Sequence, residues 1–341
     1  MNRFAKIPAQ QRADFFARYE ERTGVDPTIS EKDFWVCWLL GQIFATPELG
    51  GSAVFKGGTS LSKVFGVINR FSEDVDLGLS PASLGYPESE IDAAPTKTAR
   101  AKRSAALLNT CAQTVERSFM PALETLIRAH LGAKSGGRHW LRYELEEASH
   151  SPVIHFDYPS TLANPLRYIR TAVKIEFGSL TDQRPTGTHR IVPMVEELAP
   201  EAFDDFQAEV VALEVERTFW EKATILHAEF HRPADKAQPP RYARHYSDFA
   251  ALWRHPLGQA AAARLDLLDR VRLHKSRYFA SAWANYDSAT IGTLRLVPPE
   301  ARLNELRRDY EAMLPMFIGA PEEFDQMVSV LHDAERTLNK A

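Results

Sequence analysis

The sequence predicts an α+β fold, a mixed sheet with flanking helices followed by a C-terminal helical domain. Three observations predict it. Short apolar or alternating runs at Ser52–Phe55, Val75–Leu79, His139–Leu145, Pro152–Tyr158 and Tyr168–Phe177 read as strands. Stretches of helical period lie before and between them. From Phe203 onward the pattern reads as helix alone, and the change in composition falls near Glu196–Pro200. This divides the chain into an α/β domain with N-terminal helices over 1–200 and a helical domain over 201–341.

The elements follow in order. Pro8–Glu21 and Ser30–Ala45 read as helices, the second with Ser30 as N-cap and Glu31 and Asp33 in the first turn, where the helix dipole favours acids. The apolar run Ser52–Phe55 ends in a glycine pair, and Ser60–Ile68 resumes as helix. Pro81–Thr98, rich in Pro, Ser, Ala and Asp, reads as a loop. Ala99–Leu131 is a long helical pattern with a break expected near Pro121. In the second half, helices are expected at Phe206–Phe230, Arg241–His255, Ala260–Tyr278, Pro299–Leu314 and Glu322–Leu338.

Composition narrows the function classes. The chain has 341 residues, of which 25% are charged and 44% hydrophobic, enough for a substantial core. No run of 18 apolar residues is present, so no membrane span is expected. No apolar segment follows Met1–Lys6, so no signal peptide is read and a cytoplasmic location is expected. Cys37 and Cys111 offer neither a disulfide framework nor metal-ligand spacing. A net charge of −4 excludes a protein that coats nucleic acid through bulk charge. Nucleic-acid contact therefore falls to local clusters, of which Arg264, Arg270, Arg272, Lys275 and Arg277 form the largest.

One constellation carries chemistry. Lys56-Gly57-Gly58-Thr59-Ser60 follows a strand and opens a helix, so the glycines permit close backbone approach and the helix start offers N–H groups to phosphate. Asp74 and Asp76, two apart at the start of the next strand, present both carboxylates on one face. Adjacent carboxylates repel unless a cation lies between them, and hard oxygen ligands in this arrangement suit Mg²⁺ bridging nucleotide phosphates. Two-metal nucleotidyl transfer requires a third carboxylate. Glu176, on the same face as Lys174 in the strand Ala172–Phe177, is the candidate, as ligand or as base. Arg70 and Ser72 flank the acids, Arg70 placed to neutralise phosphate or to orient Asp74.

Lys222 is singled out by its helix. Val211, Val215, Phe219 and Leu226 fall on one apolar stripe, and Lys222 lies on that stripe three residues after Phe219. An ammonium there demands an anion, and a nucleotide phosphate would serve. His227 and His231 have the i, i+4 spacing of zinc ligands but lack further ligands.

At these residues the chain resembles the nucleotidyltransferase superfamily, and the strings Lys56–Lys63 and Arg70–Leu77 are similar to those of the AbiEii/AbiGii toxin family. The resemblance extends to Glu31-Lys32-Asp33-Phe34-Trp35, to Glu216–Lys222 and to Arg244–Asp248. It implies a nucleotidyltransferase-fold domain with a helical C-terminal domain, and Mg²⁺-dependent transfer of a nucleotide from an NTP. It also implies toxicity in toxin–antitoxin or phage-abortive-infection systems, with a cognate antitoxin as partner. Asp248 is placed by it beside the active site with Lys222. Some members resemble toxins that modify the tRNA 3′ end and so block translation, which makes an RNA acceptor, tRNA foremost, the expectation. Two alternatives stand beside this: nucleotidylation of a protein Ser, Thr or Tyr hydroxyl, and a non-catalytic binding module.

Overall fold

The computed structural model describes all residues except 87–93, 95, 148, 163–165, 167–168, 199–204, 280, 282 and 341. The expected domain boundary at 200/201, residues 87–93 and 95 of the expected Pro81–Thr98 loop, and Tyr168 lie outside the described residues. Packing divides the chain into two compact units, the first Met1–Val64 with Glu73–Ala212, the second Phe65–Ser72 with Leu213–Ala341.

The first unit is built on a seven-stranded mixed sheet in the order β3-β4-β5-β2-β1-β7-β6. The strands are β1 (Ala53–Lys56), β2 (Asp74–Leu79), β3 (Leu141–Leu145), β4 (Pro152–Phe156), β5 (Val173–Gly178), β6 (Thr186–Ile191) and β7 (Ala208–Leu213). β1 runs antiparallel to β2 and parallel to β7, while β2 and β5 are parallel. In β5 burial alternates, Val173, Ile175 and Phe177 inward with Lys174 and Glu176 on the other face, as a half-buried strand requires. The mixed sheet with flanking helices is the α+β architecture expected.

Helices α1 (Asn2–Lys6), α2 (Ala9–Thr23) and α3 (Pro27–Phe44) precede the sheet, and α4 (Pro47–Gly50) leads into β1. α3 begins earlier than its sequence suggested. Asp26 is the cap, its carboxylate accepting from the Thr28 amide at 2.7 Å, with Pro27 preset for the first turn. Ser30 lies inside the helix and turns its hydroxyl to the Pro27 carbonyl. One side of α3 buries Phe34, Trp35 and Trp38, with Trp38 stacked on Phe156 of β4 and Trp35 on Tyr158. α5 (Gly57–Lys63) starts at the glycine pair itself. The break near Pro121 is a π turn over Val115–Phe119, joining α6 (Lys97–Thr114) to α7 (Met120–Leu131).

Phe206–Phe230 is not one helix. Residues 208–213 form β7, Glu214 is extended, and α8 (Val215–Phe230) follows. Pairing of Phe55 with Ala212 draws this stretch into the sheet and overrides a sequence that continues the helical pattern. Strand β6 was also not expected from the sequence.

The second unit is helical: α8, α9 (Ala243–Arg254), α10 (Pro256–Ala262), α11 (Leu265–Tyr278), α12 (Leu303–Ala312) and α13 (Phe324–Leu338). The expected helix Ala260–Tyr278 is two, parted at Ala263–Arg264. Residues 65–72 join this unit by backbone bonds, the Phe71 amide to the Met316 carbonyl at 2.6 Å and the Ile318 amide to the Asn69 carbonyl at 2.9 Å. Among the described residues, no helix is long and apolar enough to cross a membrane.

Candidate active site

In the first unit the register of the sheet assembles the acids. Lys56 of β1 lies opposite Asp76 of β2, and Asp76 lies opposite Glu176 of β5. One step along, Asp74 lies opposite Lys174, and Lys174 opposite His155 of β4. Because side chains two apart share a face, Asp74, Asp76, Lys174 and Glu176 stand together on it. The Asp74 carboxyl is raised to about 6, first by burial, then by the charges of Glu73, Glu176 and Asp76.

Gly57 closes on this group from the helix side. Its φ is +83°, and a Cβ placed there would stand 2.0 Å from Asp76 Oδ2, so only glycine allows the carboxylate so near the backbone. Gly58 is the second residue of α5. Thr59 and Ser60 are buried and bonded locally. Thr59 donates its hydroxyl to the Asp74 carbonyl, tying α5 to β2, and Ser60 donates to the Gly57 carbonyl at 2.9 Å. Lys56, half-buried, ends β1.

The donor set of Asp74 and Asp76, all oxygen and all anionic, fits a hard divalent cation. Glu176 is held by an ion pair with the Lys174 ammonium. Burial works against the Lys174 charge, but Glu176 and Asp74 outweigh it and raise its pKa. Among the described residues no group of three His, Cys, Asp or Glu side chains is gathered to hold a metal.

The second unit holds the other expected residues. Arg70 grips Asp248 with two parallel bonds, Nε to Oδ1 at 2.7 Å and Nη2 to Oδ2 at 2.8 Å. Lys222 donates to the same carboxylate, Nζ to Oδ2 at 2.6 Å, and its Nζ lies 3.3 Å from His245 Nδ1. Arg70, Lys222 and Asp248 are all buried. The anion that the apolar stripe of α8 demands is thus Asp248, delivered by α9. Burial would raise the Asp248 carboxyl, but the charges of Arg70 and Lys222 outweigh it and hold the group well below the usual carboxylate range. Burial, with Lys222 and Arg244 adding to it, pushes His245 well below its ordinary value and keeps it neutral. Burial and the neighbouring Arg70 lower Lys222, against the pull of Asp248. Ser72, partly exposed, lies on the segment between Arg70 and β2.

Sequence reasoning did not find Lys32, Asp33, Lys63 and Glu73 as a buried ionic group, described below. The available signal was three successive charges, Glu31-Lys32-Asp33, in a helix otherwise apolar. His227 and His231 are not a zinc pair. His227 Nδ1 accepts from the Arg295 amide at 3.0 Å, and Nε2 lies 3.1 Å from both the Asn285 carbonyl and Ser288 Oγ. Arg264, which caps α11, and Arg272 on it pair with Asp266 and Asp269, and Lys275 donates to the Glu221 carbonyl.

No curated protein sequence matches the chain. Among solved structures, MenT4, a nucleotidyltransferase toxin from Mycobacterium tuberculosis H37Rv, aligns over 97% of this chain and 99% of that one, at 13% identity and a TM-score of 0.44. The family model of the AbiEii nucleotidyl transferase toxins, of type IV toxin–antitoxin systems, matches residues 38–330, which take in the glycine pair, all three acids of the sheet, Lys222 and Asp248. The chain therefore belongs to the AbiEii family of type IV nucleotidyltransferase toxins, a family defined by a nucleotide substrate and a partner antitoxin.

Proposed function

We propose that this toxin transfers a nucleoside monophosphate from an NTP to the 3′-terminal hydroxyl of a tRNA, in the cytoplasm, and thereby blocks translation and growth. The observation that carries the reading is the register that sets Asp76 opposite Glu176, with Asp74 on the same face and Gly57 against the Asp76 carboxylate. Such a group of acids in one place is costly without a cation. Mg²⁺ held by Asp74 and Asp76, with Glu176 recruited from Lys174, would neutralise charge on the donor phosphates.

The chain's own residues do the rest. Gly57 and Gly58 bring no side chain of their own to the start of α5, so a phosphate can approach the backbone there. In the second unit Lys222 is the proposed phosphate contact, its ammonium held by the Asp248 carboxylate that Arg70 grips. The acceptor oxygen attacks the α-phosphorus, the bond from that phosphorus to the bridging oxygen breaks, and pyrophosphate leaves. The hydroxyl proton passes to Glu176, or to water where Glu176 is a metal ligand. The basic helices of the second unit supply phosphate contacts, which position RNA without reading its sequence.

The test is incubation of the purified chain with Mg²⁺, each α-labelled NTP in turn and total bacterial RNA. Label in tRNA-sized RNA supports the reading and names the donor base. Label in protein alone replaces the acceptor with a side-chain hydroxyl, and label in neither speaks for a binding module.

A further inference from the structure

Three consecutive residues of one turn of α3 are buried and charged. Glu31, Lys32 and Asp33 are 0%, 1% and 1% exposed, where unpaired charges would be prohibitive. Each is satisfied by a different part of the first unit. Glu31 accepts from the Ser160 hydroxyl at 2.6 Å and from the Thr161 amide and hydroxyl at 2.7 and 2.8 Å. Asp33 accepts from Lys63, the last residue of α5, at 2.5 Å and from the Met194 amide at 2.7 Å. Lys32 donates to Glu73 Oε2 at 2.7 Å and to the Arg170 carbonyl at 3.0 Å.

The partners of Lys32 and Asp33 are not scattered. Glu73 immediately precedes β2, the strand of Asp74 and Asp76. Arg170 lies three residues before β5, the strand of Glu176. Lys63 ends the helix that begins at Gly57. One turn of α3 therefore grips the entry of both acid-bearing strands and the far end of the glycine helix. For stability alone, apolar residues of similar volume would serve as well or better than such buried ions, whereas fixed geometry is what fully bonded ions provide.

We propose that Lys32 is a positioning residue of the acid site: by holding Glu73 and the Arg170 carbonyl together it sets β2 against β5, and with Asp33 it sets both against α5. The inference rests on the reading of Asp74 and Asp76 as cation ligands.

The experiment is Mn²⁺ titration of the full-length chain by electron paramagnetic resonance, with thermal melting of each variant. Wild type, Asp74→Ala, Lys32→Met and Lys32→Met with Glu73→Gln are compared. The double variant removes one cation and one anion together, so the net charge near the acids is unchanged and a weaker affinity reads as lost positioning. The expected result is a double variant that melts near wild type yet binds Mn²⁺ at least about tenfold more weakly, the scale of outer-shell losses at metal sites. A double variant with wild-type melting and wild-type Mn²⁺ affinity overturns the proposal, provided Asp74→Ala has weakened binding. If Asp74→Ala changes nothing, the acid-site reading itself fails and the Lys32 inference falls with it. Should neither Lys32 variant fold, Glu73→Asp alone decides, since it keeps the charge beside Asp74 and shortens the reach to Lys32: weaker Mn²⁺ binding supports positioning, and unchanged binding overturns it.

Discussion

Arg70 and Asp248, 178 residues apart in sequence, form a two-pronged buried ion pair, and Lys222 occupies the second oxygen of the same carboxylate at 2.6 Å. One carboxylate thus serves two cations, and replacing its partners one at a time separates the contribution of the group to stability from its contribution to function.

Lys222→Met removes one cation and leaves the two-pronged Arg70–Asp248 pair intact. A buried ammonium carries a desolvation cost that methionine of similar volume does not, so stability is expected to stay within about 1 kcal/mol of wild type. Nucleotide transfer is expected to fall by at least about a hundredfold, since electrostatic contacts to phosphate are lost. Denaturant unfolding beside a transfer assay checks both; a sharp loss of stability would instead make Lys222 a structural residue.

Asp248→Asn does the opposite, taking from Arg70 and Lys222 the carboxylate they share. The expected cost is about 3–5 kcal/mol, the scale for breaking a buried pair from one side. The Asp248 carboxyl lies well below the usual range in the fold, so its stabilisation is fully present above the unfolded value near 4 and is lost only as pH falls below that. The difference in unfolding free energy between wild type and variant is therefore expected to stay constant from pH 7 to pH 5.

His227 is expected to act in just that interval. Burial lowers it to about 4, and its Nδ1 faces an amide donor that a protonated ring would oppose. A depressed histidine stabilises the fold above the unfolded value near 6.5 and loses that stabilisation as pH falls toward 4. Wild type is expected to lose about 1 kcal/mol through this group between pH 7 and 5, allowing for solvent screening. His227→Gln is expected to show a flatter pH dependence of melting, and an unaltered slope would refute the assignment.

Gly57→Ala and Gly66→Ala both place a side chain at positive φ, at a cost of about 1–2 kcal/mol each. Gly66 has open space around its would-be Cβ, whereas Gly57 meets Asp76 Oδ2. Comparable melting of the two variants with activity lost only in Gly57→Ala is the expected pattern.

How far the sequence disclosed this depends on the range of each signal. The glycine pair, the two aspartates and the alternation around Glu176 are local patterns, and each sits on the element expected for it. The stripe of α8 showed that Lys222 needs an anion, but not which one, because Asp248 and Arg70 meet it only through tertiary packing. Ser30 misled because Asp26-Pro27 is the stronger helix start. Strand β7 was hidden because Val211 and Val215 continue the spacing of the helix that follows, and only pairing with β1 distinguishes them. Lys32 and Glu73 could not be paired from spacing at all, being 41 residues apart.

The most direct test of the central claim is a comparison of α- and γ-labelled NTP with wild type and Asp74→Ala. If Asp74 and Asp76 form a nucleotidyl-transfer centre, wild type incorporates the α label into the acceptor and releases the γ label as pyrophosphate, and Asp74→Ala, folded as wild type, does neither. Incorporation of the γ label, or equal α incorporation by Asp74→Ala, would contradict it.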